Sequence, residues 1–143
     1  MTHRVLVARL LSAYEYDWGP VFSRMTPRSI RRYAPVAKHM DEIKRSDPAL
    51  FNTPEVVAYD RGRVRYFVDQ LNLGVELDPI EIDNDCGHRC IYPVPLVLDG
   101  HHRLWAYHLV GREHIPVTYG GRQDVLDYLT GRRTRPPTET VHL

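Results

Sequence analysis

The sequence has few cysteines, no long apolar run and hardly any net charge, and each absence excludes a class of protein. Its two cysteines, Cys86 and Cys90, cannot form the disulfide framework of a small secreted protein. No apolar stretch approaches the roughly 18–20 residues that span a bilayer, and the N-terminal run RVLVARLLSAY has no signal-peptide cleavage pattern. We therefore expect a cytoplasmic protein with no membrane partner.

The balance of charges excludes a simple polycation. The chain has 143 residues and a formal net charge of +1, from 19 lysines and arginines against 18 aspartates and glutamates. A purely electrostatic DNA-binding protein would carry a larger positive charge. Hydrophobic residues make up 43% and charged residues 26% of the chain, which is typical of a globular protein. Length and composition together predict one folded domain.

The first half of the chain has weak secondary-structure signals. The run HRVLVARL predicts a strand, with a short helix as the alternative. Thr26 is a predicted N-cap with Pro27 at the first helical position. Pro35 interrupts this pattern, so TPRSIRRYAPVAKHMDEIKRSDP predicts two short helices or one kinked helix. The next run, ALFNTPEVVAYDRG, is predicted to be irregular and to end in a turn at residues 60–62.

From Arg63 onward the pattern is clearer. One buried helical face is predicted by the spacing of Val64, Phe67, Val68 and Leu71, with Gly74 ending the helix. The remaining predicted elements are a strand at DPIEID, a loop at DNDCGHRC, a strand from about Pro93 or Val94 to Leu98, a helix through Trp105 to Val110, a strand at HIPVTY, a helix at RQDVLDYLTG and a frayed tail. This order predicts an α+β fold, with a short mixed sheet flanked by helices.

The densest group of chemically active residues is the pentapeptide Asp99-Gly100-His101-His102-Arg103, here called the DGHHR turn, between a predicted strand and a predicted helix. The first N–H groups of a helix lack intrahelical partners and attract anions. Gly100 would let a ligand approach the backbone, Arg103 can fork onto phosphate oxygens, and the two histidines can donate hydrogen bonds. Asp99 would repel a phosphate unless Mg²⁺ bridges the two. The turn therefore predicts a phosphate site, with an ordinary helix entrance capped by Asp99 as the alternative.

In its context the DGHHR turn resembles the signature of the ParB/sulfiredoxin superfamily. The upstream segment LNLGVELDPIEI matches as well, so that the resemblance covers roughly residues 52–131. It implies a nucleotide-binding core at 51–131, which leaves an N-terminal extension at 1–50, packed on the core, and a flexible tail at 132–143. It also implies that Gly100, His101, His102 and Arg103 bind the phosphates of ATP or ADP, with CTP as a further candidate. Asp99 would hold Mg²⁺ through the nucleotide.

Departures from the superfamily pattern narrow what the resemblance implies. His101 stands where sulfiredoxin proper has its reactive cysteine, so thiol chemistry is not expected. Only about a dozen residues follow the last predicted helix, so we expect no helix-turn-helix module of a chromosome-partition ParB. The turn is most similar to the free-serine kinase branch, which implies phosphoryl transfer to a small hydroxyl-bearing metabolite attended by Asp99, His101 and His102. An upstream acidic residue is the general base in that branch, and Glu55 is the nearest candidate, with a surface carboxylate as the alternative.

Two other patterns lie outside this resemblance. The run CGHRC holds a cysteine pair with zinc-ligand spacing but no second ligand pair, which favours free cysteines in a loop over zinc. A cluster of basic residues suits nucleic acid or an anionic substrate, with a solvated helix face as the alternative; its arginines are Arg24, Arg28, Arg31 and Arg32. Two further functions therefore stay open. One is a ParB-like nuclease or nucleotide hydrolase acting on DNA through these arginines, and the other is a nucleotide-binding module without turnover.

Overall fold

The protein is a small α+β domain with a five-stranded mixed sheet, as a computed structural model shows, and the predicted fold class is confirmed. The structure describes residues 1–13, 22, 24–39, 48–50 and 53–143. Its elements, in chain order, are β1 (Thr2–Leu6), α1 (Val7–Ala13), α2 (Pro27–Ile30), a 3₁₀ turn (Pro48–Leu50), α3 (Pro54–Asn72), β2 (Ile80–Gly87), β3 (Cys90–Asp99), α4 (His101–Val110), β4 (His114–Tyr119), α5 (Gln123–Thr130) and β5 (Val141–His142).

Within this domain the chain forms two compact units. Unit 1 comprises Met1–Tyr16 and Asp78–Leu143, and unit 2 comprises Asp17–Leu77. Unit 1 therefore contains the whole sheet with α1, α4 and α5, whereas unit 2 contains α2 and α3. The boundaries predicted near residues 50 and 131 differ from this division and stay predictions.

The sheet of unit 1 has the strand order β1-β4-β2-β3-β5. Strands β2 and β4 run parallel, and the other three neighbouring pairs are antiparallel. One face is apolar because alternate residues of each strand point to the same side; its fully buried members include Val5, Ile80, Ile115 and Val117. The predicted strands at DPIEID and HIPVTY are thus confirmed, and both contribute to one core.

The loop predicted at DNDCGHRC is wrong. Strand β2 continues to Gly87, and β3 already begins at Cys90, so the two strands form a hairpin with a turn at His88 and Arg89. Polar residues extend β2 because Asn84 is hydrogen-bonded inside the fold instead of being solvated. Proline is tolerated in β3 because this strand pairs with β5 at only two positions on its outer side.

The N-terminal run combines both of its predicted alternatives. HRVL belongs to strand β1, and helix α1 starts at Val7. Val5 and Val7 are both buried, one on the sheet and one on the helix. An apolar run of this length fits either period, and pairing of β1 with β4 fixes where the strand ends.

Unit 2 corrects the prediction for residues 49–62. Helix α3 begins at Pro54, with Thr53 as its N-cap, and runs through the predicted turn at residues 60–62. Gly62 does not break the helix. Its lack of a side chain allows a close contact with residues 34–36, because a Cβ there would lie 2.7 Å from Val36 Cγ2 and would overlap the carbonyl oxygen of Ala34. Three residues of the predicted face, Val64, Val68 and Leu71, are buried, whereas Phe67 is partly exposed.

The helix predicted at residues 26–48 is short in the part that the structure describes. Thr26 is its N-cap, and Thr26 and Ser29 form a reciprocal capping box, which confirms the predicted start. The helix ends at Ile30, and residues 34–37 have no regular structure. The predicted continuation over residues 40–47 lies outside the described residues.

The C-terminal elements of unit 1 follow the predictions except at the tail. Helices α4 and α5 are confirmed, and each ends at a glycine with positive φ, Gly111 and Gly131. The tail was predicted to be frayed, whereas Val141–His142 forms β5 and pairs with the start of β3. None of the helices in the described ranges is long and apolar enough to cross a membrane.

Candidate functional site

The DGHHR turn joins strand β3 to helix α4, as the sequence predicts. Asp99 is the last residue of β3, and His101 is the first of α4. Gly100 is the N-cap with a φ of +105°, a left-handed conformation that residues with a Cβ rarely adopt. The amide of Leu104 donates to the Gly100 carbonyl at 2.9 Å, which is the first bond of the helix. Helix α4 therefore begins directly after the last residue of β3, with Gly100 as the only residue between the two elements.

Gly100 also has a packing role that the sequence did not reveal. A Cβ at this position would lie 2.7 Å from Ile80 Cβ and 3.2 Å from Arg103 Nη2, and it would overlap Ile80 Cγ2. Ile80 is the first residue of β2 and fully buried. The glycine is thus required by the fold, whether or not a ligand approaches the turn.

The side chain of Arg103 links the DGHHR turn to the residues that precede β2. Its Nη1 donates to the carbonyl oxygens of Asp78 at 2.8 Å and Pro79 at 3.1 Å, and its Nη2 donates to Asp99 Oδ2 at 3.1 Å. The side chain is only 14% exposed, whereas that of Asp99 is 65% exposed. Arg103 therefore links the two segments of the superfamily resemblance, the DPI lead-in to β2 and the DGHHR turn.

This arrangement changes the electrostatics expected at Asp99. The carboxylate faces a guanidinium directly, so much of its negative charge is balanced inside the chain. A phosphate near the start of α4 then meets less repulsion than the isolated carboxylate would produce. Asp99 does not cap α4, because the N-cap residue is Gly100 and makes no side-chain cap hydrogen bond.

His101 and His102 occupy the first turn of α4, and both are partly exposed. Behind them the helix is buried through Leu104, Trp105, Ala106 and Tyr107. Trp105 stacks edge-on against His108, with ring centroids 5.3 Å apart. Trp105 and Tyr107 are therefore core residues, and the two histidines lie at the partly exposed start of the helix.

Glu55 belongs to unit 2. It is an exposed residue in the first turn of α3, in unit 2, whereas the DGHHR turn belongs to unit 1. It borders an open, mainly apolar depression of about 440 Å³, whose other lining residues are Ala34, Val36, Lys38, His39, Ala58 and Tyr59. Its role as general base stays a prediction.

The four arginines of the basic cluster are all exposed. Arg28 is in α2, and Arg31 and Arg32 follow it directly, while Arg24 precedes the Thr26 cap. Tyr33, which lies among them, is engaged by Arg61, whose Nη1 donates to the Tyr33 hydroxyl at 2.9 Å. The four arginines therefore face solvent, whereas the Tyr33 hydroxyl is hydrogen-bonded within the protein.

The two cysteines are free thiols. In the β2–β3 hairpin Cys86 pairs with Ile91, and Gly87 pairs with Cys90, so the two thiols point to opposite faces. No group of three or more His, Cys, Asp or Glu side chains with metal-binding geometry occurs among the residues described. The predicted loop location is wrong, because Cys86 belongs to β2 and Cys90 to β3.

A buried polar network in unit 1 escaped the sequence-based analysis. Asn84 is 4% exposed, and its Oδ1 accepts from the Tyr119 hydroxyl and, at 2.6 Å, from the amide of Arg122. Arg122 in turn donates to the carbonyls of Ile91 and Glu139, which ties β3 and the tail to the start of α5. The only signal in the sequence was a polar residue at an inward position of β2.

Ionisation in this network follows from the same contacts. Burial raises the pKa of Tyr119 far above its ordinary value, with the negative charges of Asp83 and Asp124 adding to the effect. The hydrogen bond between Arg122 and Asp124, at 2.7 Å, lowers the pKa of the Asp124 carboxyl and raises that of the Arg122 guanidinium. At neutral pH the network therefore contains a neutral tyrosine and a charged Arg–Asp pair.

Comparison of the chain with protein-family models, with curated proteins and with solved structures found no match. The resemblance to the ParB/sulfiredoxin superfamily therefore stays a prediction, based on the DGHHR turn and the DPI segment. The nucleotide, the Mg²⁺ ion and the acceptor that it implies are likewise matters for proposal and experiment.

Proposed function

We propose that this protein is a nucleotide-dependent phosphotransferase that acts on a small hydroxyl-bearing metabolite, with ATP or ADP as the donor. The observation that carries the proposal is the geometry of the DGHHR turn. A strand ends at Asp99, Gly100 adopts positive φ, and α4 starts with two partly exposed histidines. The N-terminal end of a helix with these side chains suits the phosphates of a nucleotide.

Each residue of the turn has a defined part in this proposal. The first backbone N–H groups of α4, with His101 and His102, donate hydrogen bonds to the phosphate oxygens. Arg103 supplies positive charge and reaches the phosphate by exchanging its contact with the Asp99 carboxylate. Since phosphoryl transfer requires mainly positioning and charge neutralisation, a small domain can accomplish it.

The turn also fits a Mg²⁺ ion bound through the nucleotide. Mg²⁺ in such sites needs one or two protein carboxylates, with phosphate oxygens and water as its other ligands. Asp99 is one exposed carboxylate at the helix entrance, and its contact with Arg103 involves Oδ2. Asp99 would hold the ion, which would neutralise charge on the transferred phosphoryl group.

The test is phosphate transfer from ATP, ADP or CTP to a panel of hydroxyl-bearing amino acids and other small alcohols. We expect one acceptor to be phosphorylated, in a Mg²⁺-dependent reaction that Asp99→Asn and His102→Gln each reduce by about tenfold or more. Arg132→Ala is the matched control, because Arg132 is exposed and lies in the same unit. Hydrolysis without transfer to any acceptor would reject the kinase activity.

A thermal-shift experiment tests the phosphate site separately. A nucleotide at a hundred times its Kd stabilises the fold by about 2.7 kcal/mol, which raises Tm. We expect the rise in Tm to be smaller when Mg²⁺ is left out. Arg103→Ala should remove the rise, while the apo variant still folds with a lower Tm. An unchanged nucleotide-dependent rise in that variant would exclude Arg103 from the site.

The second candidate is a nuclease or nucleotide hydrolase that acts on DNA. The observation that favours it is the exposure of Arg24, Arg28, Arg31 and Arg32 in unit 2. Cleavage of plasmid DNA that depends on Asp99, without phosphate transfer to any small acceptor, would favour this candidate over the kinase. Nucleotide binding with neither reaction would leave a binding module.

A further inference from the structure

Residues 24–39 form an unusually basic stretch, here called the basic segment, in a chain with a net charge of only +1. They contain Arg24, Arg28, Arg31, Arg32 and Lys38, and no aspartate or glutamate. Positive charge is therefore concentrated in this stretch, whereas acidic residues, Asp41, Glu42 and Asp47, follow it in the sequence of the same unit. Such a concentration attracts polyanions even when the whole chain is nearly neutral.

The guanidinium groups of the basic segment differ from most other arginines of the fold. Within the described part of the chain, no hydrogen bond or ion pair engages the side chains of Arg24, Arg28, Arg31 or Arg32, and all four are exposed. Arg63 and Arg65, on α3 of the same unit, donate instead to backbone carbonyls. These four exposed groups are therefore available to a partner and lie within nine residues of one another along the chain.

The backbone that carries these groups is held in place. The capping box of Thr26 and Ser29 closes the start of α2. Arg65 Nη1 donates to the carbonyl of Arg31 at 3.0 Å and to that of Tyr33 at 2.5 Å. The amide of Val36 donates to the Gly62 carbonyl at 3.0 Å. A fixed backbone lowers the conformational entropy lost when the exposed arginines bind.

The chemistry of the segment favours phosphate groups of a duplex over other polyanions. Arginine presents a planar fork that matches phosphate oxygens. The Tyr33 ring lies 5.3 Å from the guanidinium carbon of Arg61 and is used internally, so it is no stacking platform for unpaired bases. Met25 and Ile30 are buried, so neither can insert into a lipid bilayer.

We infer that the basic segment binds the sugar-phosphate backbone of duplex DNA without reading its sequence. Arg28 and Arg31 form the centre of this surface because they lie at i and i+3 across α2 and its C-cap, and Arg32 follows directly in the turn. The inference names the surface through which the second candidate function would hold DNA. It uses no residue of the DGHHR turn and does not depend on any reaction.

The experiment measures fluorescence anisotropy of a labelled, random-sequence duplex of about two helical turns with the full chain. Binding should weaken between about 50 and 200 mM salt, with a log–log slope of about −3 to −4, as expected for four phosphate contacts. Reversal of the three central arginines, Arg28→Glu with Arg31→Glu and Arg32→Glu, should weaken binding at least tenfold at the lower salt concentration. A second variant with glutamine at these positions should lose less, and it keeps the test valid if the reversed variant misfolds.

The matched control reverses three exposed arginines of unit 1, Arg4, Arg132 and Arg135, and changes the net charge by the same amount. It should retain duplex affinity within about twofold, as should Arg103→Ala. Equal loss in the control would overturn the inference, since net charge alone would then explain binding. Failure to bind duplex at low salt would also overturn it, as would stronger binding to anionic phospholipid vesicles than to the duplex. Loss of phosphotransferase activity alone leaves it standing, so the two proposals fail separately.

Discussion

The DGHHR turn and the basic segment both place arginine beside a helix start, but they use it in opposite ways. Arg103 is nearly buried and bound to Asp99 and to two backbone carbonyls, whereas Arg28 and Arg31 extend into solvent. The difference follows from the neighbouring backbone. Residues 75–79 have no regular structure, so their carbonyls need partners from outside a helix or sheet, and Arg103 supplies them.

Carbonyls of an irregular segment also accept hydrogen bonds from arginine side chains within unit 2. The irregular residues 31–37 expose carbonyls that α2 and α3 cannot satisfy, and Arg63 and Arg65 donate to them. Among the described residues, no carbonyl accepts a hydrogen bond from an arginine side chain of the basic segment. Arg63, Arg65 and Arg103 are therefore internal because an irregular segment offers each of them backbone carbonyls as acceptors.

The largest expected effect tests how strictly the DGHHR turn is built. Gly100→Ala should lower the free energy of unfolding by about 3 kcal/mol, because it combines a left-handed φ with overlap on Ile80. Gly111→Ala is the matched control, since Gly111 has a φ of +82° but nothing within 4 Å of the added Cβ. That variant should lose only about 1 kcal/mol. Equal losses in urea denaturation would mean that Ile80 relaxes at no cost.

The next largest effect concerns the packing of the basic segment against α3 at Gly62. Gly62→Ala should destabilise by about 2 kcal/mol, although alanine favours a helix by up to about 1 kcal/mol over glycine. The added Cβ would overlap the Ala34 carbonyl oxygen and approach Val36. Chemical denaturation shows directly whether Gly62→Ala lowers or raises the free energy of unfolding. A stabilised variant would show that the basic segment moves away from α3 easily.

A direct comparison of the two kinds of arginine follows. Arg103→Ala should cost about 2 kcal/mol, since it removes charge-assisted hydrogen bonds to two carbonyls and a carboxylate. Arg28→Ala should change stability by less than about 0.5 kcal/mol. Thermal denaturation of both variants at the same salt concentration measures the two losses of stability. The distinction between internal and external arginines fails if the two losses are similar.

The smallest effect concerns Arg122, an internal arginine paired with an acid. Because Arg122 lowers the pKa of Asp124, this pair stabilises the fold above the ordinary pKa of an aspartate, near 4, and the contribution is lost as pH falls through the lowered value. Asp124→Asn should therefore reduce Tm at pH 7, and this reduction should shrink steadily as the pH falls below about 4. The carboxylate is partly exposed, so the loss at neutral pH stays below about 1 kcal/mol. A loss that is independent of pH would contradict the ion-pair explanation.

The elements with a clear period could be predicted well. The buried face of α3, the strands at DPIEID and HIPVTY, and helices α4 and α5 all follow from apolar spacing and from glycines or prolines at their ends. The misses have one physical cause. Gly62 inside α3, Asn84 inside β2 and the short tail strand β5 are stabilised by contacts with residues distant in sequence, which local patterns do not contain.

The sequence by itself determined the fold class, the position of the DGHHR turn at a strand–helix junction and the clustering of the basic residues, because each depends on neighbouring residues and their period. Only the tertiary structure decided which of these charged groups are available. Arg103 is occupied by Asp99 and the DPI carbonyls, while the four arginines of the basic segment are not engaged by any described residue. Availability depends on which unsatisfied backbone oxygens the fold brings within reach, and that is a property of three-dimensional neighbours.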